Sequence, residues 1–273
     1  MMKRILTIAG SDSGGGAGIQ ADLKTITVLG SYGMSAITAL TAQNTVGVQA
    51  VYPVPAEFVA LQIESVLSDI GADAAKTGML ATPENVLAVA EQVRRHKVER
   101  LVVDPVMAAE SGHTLLSDSA RAAMVEALLP LAHVVTPNLT EASELCGFPV
   151  QDLDAMKAAA RKIYTLGPRF VLVKGGHLKG NAVDVLFDGE NCRLFDSQRL
   201  GNPNRHGTGC TFSAALATLL GQGLTMHKAV EAAKEFITRA IALGLNLGSG
   251  QGPTNPYAHV LQLMEVKRGL VEA

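Results

Sequence analysis

The chain alternates between short apolar stretches and longer stretches in which apolar residues recur every three or four positions. The short stretches predict buried strands, and the longer ones predict helices that pack on them through one face. The predicted strands are 4–9, 34–42, 74–76, 101–103, 133–135 and 170–174, with an edge strand or flap at 46–54 and a hairpin of 181–187 and 192–196. The predicted helices are 19–29, 55–70, 83–96, 119–129 and 152–166, one opening at 138–141, two beginning at Thr208 and Thr225, and a short one after Pro256.

This alternation of strands and helices predicts an α/β fold of three layers, α/β/α, around a mostly parallel, doubly wound sheet. We find no linker, repeat or low-complexity stretch, and therefore expect a single domain over residues 1–273. Polar residues and glycines repeatedly follow the predicted strands. Open α/β sheets bind ligands beyond the carboxyl ends of their strands, so we expect the functional site there.

Composition narrows the function classes. Hydrophobic residues make up 48% of the chain and aromatic residues 4%, which suits close-packed helices on parallel strands. The formal net charge is −2, and no basic tract indicates a nucleic-acid surface. Three widely spaced cysteines argue against a disulfide framework or a zinc site, so we expect a cytoplasmic protein. No stretch is long enough to span a membrane, and the first apolar run is too short for a secretion signal.

A glycine turn, Gly207-Thr208-Gly209-Cys210, precedes a run of small apolar residues that predicts a buried helix. Backbone N–H groups at a helix N-terminus lack partners inside the helix, and the helix dipole is positive there. Such a turn suits a phosphate or a phosphoryl group in transfer. We expect the Cys210 thiol to lose its proton more easily at this position. An ordinary turn before a core helix, with a small buried cysteine, explains the same residues about as well.

A second glycine stretch, residues 16–21, fits a relaxed dinucleotide-binding pattern. That pattern also requires an acidic residue about twenty positions further on. No Asp or Glu lies between Asp22 and Glu57, so a nicotinamide enzyme is disfavoured. The phosphate-binding motif G-x-x-x-x-G-K-[ST] is absent from the sequence.

Asn138 and Glu141 are three positions apart at a predicted helix start, and Asp104 follows a predicted strand. Together they could organise a hydrated magnesium ion, which takes few carboxylates and several waters. Helix capping by the Asn138 and Glu141 side chains is the stronger alternative from the spacing alone. Lys174 could bind a phosphate, or it could be an exposed lysine at the end of a strand. Lys234, on the helix that begins at Thr225, could likewise bind a phosphate or be exposed. His206 could support the anion turn from beside it, but we interpret it as a solvated turn residue.

The chain resembles the ribokinase-like superfamily, and within it the hydroxymethylpyrimidine and phosphomethylpyrimidine kinases of thiamine biosynthesis. Seven segments carry this resemblance in unchanged order over almost the whole chain. They are residues 9–22, 41–45, 76–80, 103–107, 136–141, 173–177 and 206–210.

The resemblance implies a phosphotransferase that moves the ATP γ-phosphoryl group to a pyrimidine alcohol and then to the resulting monophosphate. Gly207, Thr208, Gly209 and Cys210 would form the anion hole, with the Cys210 thiolate as base where most sugar-kinase relatives have Asp. The resemblance further assigns these residues: Gln43, Gly10, Asp22, Met79 and Val106 to the pyrimidine, Asn138, Lys174 and, with less support, Lys234 to ATP and phosphate, and Asp104 and Glu141 to Mg²⁺.

Three alternatives remain open from the sequence. Relatives with the same Gly-Thr-Gly-Cys turn phosphorylate pyridoxal, which is also a flat heteroaromatic alcohol. A ligand-binding protein without catalysis and a thiol hydrolase built on Cys210 are less favoured. The resemblance implies a small-molecule alcohol and ATP as partners and a homodimer, with neither nucleic acid nor membrane.

Overall fold

The computed structural model describes residues 1–107, 117–176, 178 and 180–271, so that His177 of the motif 173–177 lies outside the described residues. Within this part of the chain the strands are β1 Arg4–Asp12, β2 Tyr32–Asn44, β3 Gly47–Pro53, β4 Ala74–Thr77, β5 Leu101–Val103, β6 Val134–Val135, β7 Val171–Val173, β8 Ala182–Phe187 and β9 Cys192–Ser197. The α-helices are α1 Gly18–Val28, α2 Ala56–Asp69, α3 Pro83–Arg95, α4 Asp118–Ala123, α5 Leu139–Cys146, α6 Leu153–Tyr164, α7 Thr208–Gly221, α8 Met226–Ala242 and α9 Ala258–Val271.

The strands form one sheet in the order β3-β2-β1-β4-β5-β6-β7-β8-β9. The six central strands of the sheet, β2, β1, β4, β5, β6 and β7, are parallel. Strand β3 at one edge and the β8–β9 hairpin at the other are antiparallel to their neighbours. The chain runs from β1 outward to β2 and β3, then returns to place β4 on the other side of β1. This reversal opens a crevice beyond the carboxyl ends of β1 and β4, where a ligand of a doubly wound sheet binds.

Helices cover both faces of the sheet, because successive side chains of a strand point to opposite sides. Leu6 and Ala75 belong to one buried cluster together with apolar residues of α2, α3, α4, α5 and α6. Their neighbours Ile5 and Ala74 belong to a second cluster, with residues of α1, α7 and α8 on the opposite face. The predicted three-layer α/β/α arrangement is confirmed. None of the described helices is long and apolar enough to cross a membrane.

The predicted helix 119–129 is the element that the structure changes most. It begins as α4, continues through a wider π-helical turn at Met124–Leu128, and ends in a short 3₁₀ turn at Leu129–Leu131. Pro130 has no N–H to donate, and its ring would collide with the carbonyl four residues earlier in a regular α-helix. The proline therefore accounts for the irregular end of this helix. The edge strand and the hairpin form as predicted.

Candidate active site

The glycine turn lies where expected, at the start of α7. Gly207 has φ +79°, and a Cβ atom there would lie 1.9 Å from the carbonyl oxygen of Gly16. Only glycine fits this position, since a side chain would both strain the backbone and collide with the β1–α1 loop. The close approach holds the two glycine loops together. The Thr208 N–H donates to the Arg205 carbonyl at 3.1 Å, whereas the N–H groups of Gly209 and Cys210 lack partners within the helix.

Asp104 and Lys174 lie beside this turn, at the ends of β5 and β7. Lys174 Nζ is 2.9 Å from Asp104 Oδ1, and a Cβ on Gly209 would lie 3.5 Å from the same Nζ. Burial acts to raise the pKa of Asp104, but the Lys174 and Lys76 ammonium groups outweigh it and hold the pKa below its usual value. Asp104 is therefore an ionised carboxylate next to the turn. Lys174 is not the solvated strand-end lysine that one interpretation suggested.

Asn138 and Glu141 form a complete capping box at the start of α5. Asn138 Oδ1 accepts from the Glu141 N–H at 2.9 Å, and Glu141 Oε2 accepts from the Asn138 N–H at 2.8 Å. Burial raises the pKa of Glu141 to about 7, against the opposing effect of Lys174, and Asp104 adds to the increase. The box thus confirms the capping alternative and at the same time brings a buried carboxylate close to Asp104 and Lys174.

Cys210 follows Gly209 in the glycine turn, and the protonation of its thiol differs from the expectation of a lowered pKa. Burial raises the pKa of the Cys210 thiol to about 11, although the Lys76 ammonium and a hydrogen bond from the Gly18 N–H act to lower it. The expectation that the helix N-terminus lowers the thiol pKa is wrong for this structure, because desolvation of the thiolate is the larger effect. Cys210 is a neutral thiol there at physiological pH.

A buried ion pair supports the site from below. Lys76 Nζ lies 3.0 Å and 2.8 Å from the two carboxylate oxygens of Asp22, and both side chains are at most 1% exposed. Burial acts to lower the pKa of Lys76, but the Asp22 carboxylate raises it above its ordinary value. Asp22 was assigned to the pyrimidine pocket from the resemblance. Its carboxylate accepts hydrogen bonds from Lys76 and from the Thr7 hydroxyl. Lys76 received no role from the sequence, since its partner is 54 residues away.

Gly10 and Met79, two residues assigned to the pyrimidine, are neighbours in the structure. A Cβ on Gly10 would lie 3.2 Å from the Met79 sulfur, so glycine leaves room for the thioether. Val106 is half-buried two residues after Asp104, and its N–H donates to the Asp104 carbonyl. Gly10 lies near the end of β1, Met79 follows β4 and Val106 follows β5, so all three lie at the carboxyl ends of neighbouring parallel strands.

Gln43, the fifth residue assigned to the pyrimidine, is joined to the glycine turn through His206. The Gln43 side-chain nitrogen lies 3.3 Å from His206 Nε2, which is 3.1 Å from Asp12 Oδ2. The His206 side chain is 16% exposed. The interpretation of His206 as a solvated turn residue is therefore wrong. Asp12 is a further residue that the sequence did not single out, although its place at the end of β1 is typical of a functional position.

Lys234 is the one assigned residue whose charged group is used away from the glycine turn. Its Nζ lies 2.7 Å from Asp184 Oδ2 on β8, and Asp184 Oδ1 accepts from the N–H of Gly175 at 2.9 Å. Lys234 thus supports the loop that follows Lys174 instead of reaching the turn itself. No sequence signal pointed to Asp184, which lies in the middle of a hairpin strand.

The family model described as phosphomethylpyrimidine kinase matches residues 12–255. The chain belongs to the phosphomethylpyrimidine kinase family. It is 49% identical over 251 residues to the hydroxymethylpyrimidine/phosphomethylpyrimidine kinase of Streptomyces coelicolor, covering 92% of this chain and 93% of that protein. The predicted phosphotransferase of thiamine biosynthesis is thereby confirmed at the level of the family.

Two further relatives extend the comparison. The thiamine biosynthesis bifunctional protein ThiED of Geobacter sulfurreducens is 51% identical over 264 residues; the alignment covers 96% of this chain but only 53% of that protein. The crystal structure of an ADP complex of Bacillus subtilis pyridoxal kinase superposes with a TM-score of 0.89 at 42% identity, covering 96% of this chain and 100% of that one. The predicted ribokinase-like fold is confirmed.

Proposed function

We propose that this chain transfers the ATP γ-phosphoryl group to 4-amino-5-hydroxymethyl-2-methylpyrimidine and then to the resulting monophosphate. The observation that carries the proposal is the meeting of two strand ends with the glycine turn. Asp104 and Lys174, 70 residues apart, pair at 2.9 Å directly beside Gly209. A phosphoryl group in transfer carries spread negative charge, and this arrangement offers it backbone N–H donors and a fixed ammonium.

The glycine turn supplies electrostatic stabilisation, and Cys210 accepts the proton of the alcohol in its thiolate form. Phosphoryl transfer passes through a loose transition state in which little proton transfer is needed before the bond to the leaving group weakens. The resting thiol is protonated and cannot take up a second proton, so Cys210 must release its own proton to solvent before it can accept that of the alcohol. We therefore assign more of the rate enhancement to the turn than to Cys210.

Asp104 and Glu141 are the residues that would hold Mg²⁺. Their carboxylates lie close enough to affect each other's protonation, and Lys174 lies with them. The described residues contain no cluster of three or more side chains that could bind a metal by themselves. This donor set fits Mg²⁺, which is commonly held by one or two carboxylates with phosphate and water oxygens completing its octahedron. The ion would neutralise charge on the ATP phosphates.

Gln43, Gly10, Met79 and Val106 form the pyrimidine side of the site in this proposal. The Gln43 amide offers both donors and acceptors to an aminopyrimidine edge. Pyridoxal is the second candidate alcohol, and the 0.89 TM-score to Bacillus subtilis pyridoxal kinase favours keeping it in the test. Both alcohols are flat heteroaromatic rings that carry a hydroxymethyl group, so the assay includes both.

The test is ADP formation from MgATP with each of three alcohols, followed by mass spectrometry of the products. The alcohols are the hydroxymethylpyrimidine, its monophosphate and pyridoxal. We expect the pyrimidine to appear as the diphosphate, with pyridoxal phosphorylated slowly or not at all. Turnover of pyridoxal alone would retain the kinase site and overturn the substrate assignment. No turnover of any alcohol would favour a ligand-binding protein without catalysis.

We further propose that the chain is a cytoplasmic homodimer that pairs through the β3 edge. Leu40 and Tyr52 are cross-strand neighbours and are 47% and 67% exposed, and Phe58 on α2 is 56% exposed. An exposed apolar edge strand favours association with a second copy. Light scattering after size exclusion should give a dimer mass that Tyr52→Glu reduces. The control Leu87→Glu, at an exposed α3 position, should leave the mass unchanged; a monomeric wild type would refute the proposal.

A further inference from the structure

A chain of polar groups connects the β1–α1 loop, β2 and the glycine turn. Thr41 Oγ1 lies 3.0 Å from the Ser11 carbonyl oxygen and 3.1 Å from Gln43 Oε1. Gln43 Nε2 then lies 3.3 Å from His206 Nε2, and His206 Nε2 lies 3.1 Å from Asp12 Oδ2. Each member can only donate, only accept or do one of each, so the direction of every bond constrains its neighbours.

Asp12 fixes the protonation of His206. The Asp12 carboxylate accepts N–H groups of Gly14, Gly16 and Ala17 at 2.8 to 3.0 Å. Burial acts to raise the pKa of Asp12, but the hydrogen bonds from His206 and from the backbone hold it below its usual value. An ionised carboxylate only accepts hydrogen bonds, so the imidazole nitrogen that faces it, Nε2, must carry a proton.

The Gln43 amide is then in conflict at its nitrogen end. Its NH₂ group faces the protonated Nε2 of His206, so two donors meet. Its oxygen faces the Thr41 hydroxyl, whose single proton is shared between that oxygen and the Ser11 carbonyl. The other His206 tautomer does not help, because an unprotonated Nε2 would then face the Asp12 carboxylate.

Rotating the amide by half a turn removes the conflict between the two donors. Its oxygen then accepts from His206 Nε2–H, a proton that it shares with the Asp12 carboxylate, and its NH₂ donates to the oxygen of Thr41, whose proton stays on the Ser11 carbonyl. The amide oxygen and nitrogen exchange nearly equivalent positions between the two orientations. The orientation is therefore assigned from the donors and acceptors of the hydrogen-bond network and not from heavy-atom distances. In this orientation each hydrogen bond has one donor and one acceptor.

We propose that His206 is a positioning residue that fixes the Gln43 amide with its oxygen toward the glycine turn and its NH₂ toward Thr41. The amide keeps one lone pair and one N–H for a substrate, in a fixed order. A 4-aminopyrimidine presents an amino donor next to a ring-nitrogen acceptor and matches this order in one orientation. The 4-oxo analogue presents an acceptor next to a ring N–H and is mismatched in that orientation. The specificity part of this inference rests on the proposed function, because it requires Gln43 to meet the substrate ring.

The first experiment compares kcat/KM for the 4-amino alcohol and its 4-oxo analogue. We expect wild type to prefer the amino ring by about a hundredfold, because a mismatched analogue leaves buried polar groups unpaired. His206→Leu removes the N–H that holds the amide and should lower this preference by about tenfold. His206→Gln restores a donor at a similar reach and should retain most of it. The ratio is insensitive to damage in the neighbouring turn, which slows both alcohols equally.

Two results would overturn the inference here: a wild type that does not discriminate, or a His206→Leu ratio equal to that of wild type. Asp12 keeps its three backbone hydrogen bonds in His206→Leu, so the loop should remain folded in that variant.

The second experiment is independent of the reaction. In ¹⁵N-labelled protein without ligand, the Gln43 side-chain NH₂ should show an NOE to the Thr41 methyl group, and His206 should show a protonated Nε2. An NOE from the Gln43 NH₂ to the His206 ring instead would refute the inference. If the wild type phosphorylates neither pyrimidine, the proposed function fails, and the NMR result still decides the orientation of the amide.

Discussion

Cys210 shows how a single residue can lie in a favourable electrostatic position and still be protonated. The Gly18 N–H and the Lys76 ammonium both favour its thiolate, yet burial raises the pKa of the thiol to about 11. The charge that matters arises on the phosphoryl group instead, and the surrounding residues are arranged for it. In the proposed reaction we therefore expect Cys210 to contribute to turnover more than to the affinity for nucleotide.

We expect Cys210→Ala to lower kcat by about 10²- to 10⁴-fold, the usual contribution of a positioned proton acceptor. Its affinity for ADP, measured by calorimetry, should stay close to wild type, because backbone N–H groups bind the phosphates. Cys192→Ala, on β9, is the matched control and should leave kcat unchanged. A Cys210→Ala enzyme with wild-type turnover would remove the base assignment.

Glu141 should reduce the stability of the protein above neutral pH. Its pKa is raised from 4.5 to about 7, chiefly by burial, so the folded state holds a proton that the unfolded state releases. The stability conferred by the neutral carboxyl is complete below pH 4.5 and is lost as the pH rises through about 7. The loss amounts to at most about 3 kcal/mol of unfolding free energy.

Glu141→Gln should therefore be more stable than wild type at pH 8 and equally stable near pH 4.5, by urea unfolding without nucleotide or Mg²⁺. Glutamine can still complete the capping box, so the helix start should survive the change. Turnover should fall, because a neutral amide holds Mg²⁺ poorly. Glu144→Gln, an exposed position on α5, should show no such pH dependence. A variant less stable than wild type at pH 8 would contradict this account.

Residue types and spacing predicted contacts between site residues that are close in sequence and missed contacts between residues that are far apart in sequence. The capping box joins Asn138 and Glu141, which are only three positions apart, and the sequence offered capping as the alternative to a magnesium site. His206 and Asp12 are 194 positions apart, and no spacing rule connects them. The sequence could place each beside a strand end or turn, but only the folded sheet brings the two together.

At the scale of elements, the β8–β9 hairpin and α8 hold the loop that follows β7. Asp184 on β8 accepts the Gly175 N–H at 2.9 Å and pairs with Lys234 on α8 at 2.7 Å. A Cβ on Gly175 would lie 1.9 Å from the Val183 carbonyl oxygen, so the loop packs directly on the hairpin. Lys174 begins this loop, and its position beside the glycine turn depends on these contacts.

We expect Asp184→Asn to raise KM for ATP by about tenfold and to leave KM for the alcohol nearly unchanged. It should also reduce the unfolding free energy by about 3 to 5 kcal/mol, because the Lys234 ammonium loses its buried partner. Adding Lys234→Met should recover much of the stability without restoring KM for ATP. The control Asp154→Asn breaks an exposed pair on α6 and should change neither quantity. Equal increases in both KM values would indicate general distortion instead.

Element boundaries followed from periodicity wherever one face of an element is buried. The exception is the predicted helix 119–129, which becomes α4, a π turn and a 3₁₀ turn. Apolar period does not separate these three helical forms, since each still turns one side toward the core. Pro130 was visible in the sequence, but where its effect would start depends on packing.

At the scale of the whole molecule, one sheet is shared by two apolar layers. Along β1, Ile5 belongs to the layer under α1, α7 and α8, and Leu6 belongs to the layer under α2 to α6. The same alternation recurs at Val102 and Val103 on β5. The strands that support one layer therefore cannot separate without exposing the other, and residues 1–273 should behave as a single domain.

We accordingly expect one cooperative thermal transition, with a calorimetric enthalpy close to the van't Hoff enthalpy at constant protein concentration. Ile63→Ala on α2 and Leu216→Ala on α7 each remove a fully buried side chain from opposite faces of the sheet. Each should cost about 2 to 5 kcal/mol and lower the midpoint of the whole transition. Because both layers depend on the same strands, neither variant should split the transition into two. A second peak in either variant would mean that the two faces unfold separately, and that the chain contains two cooperative units.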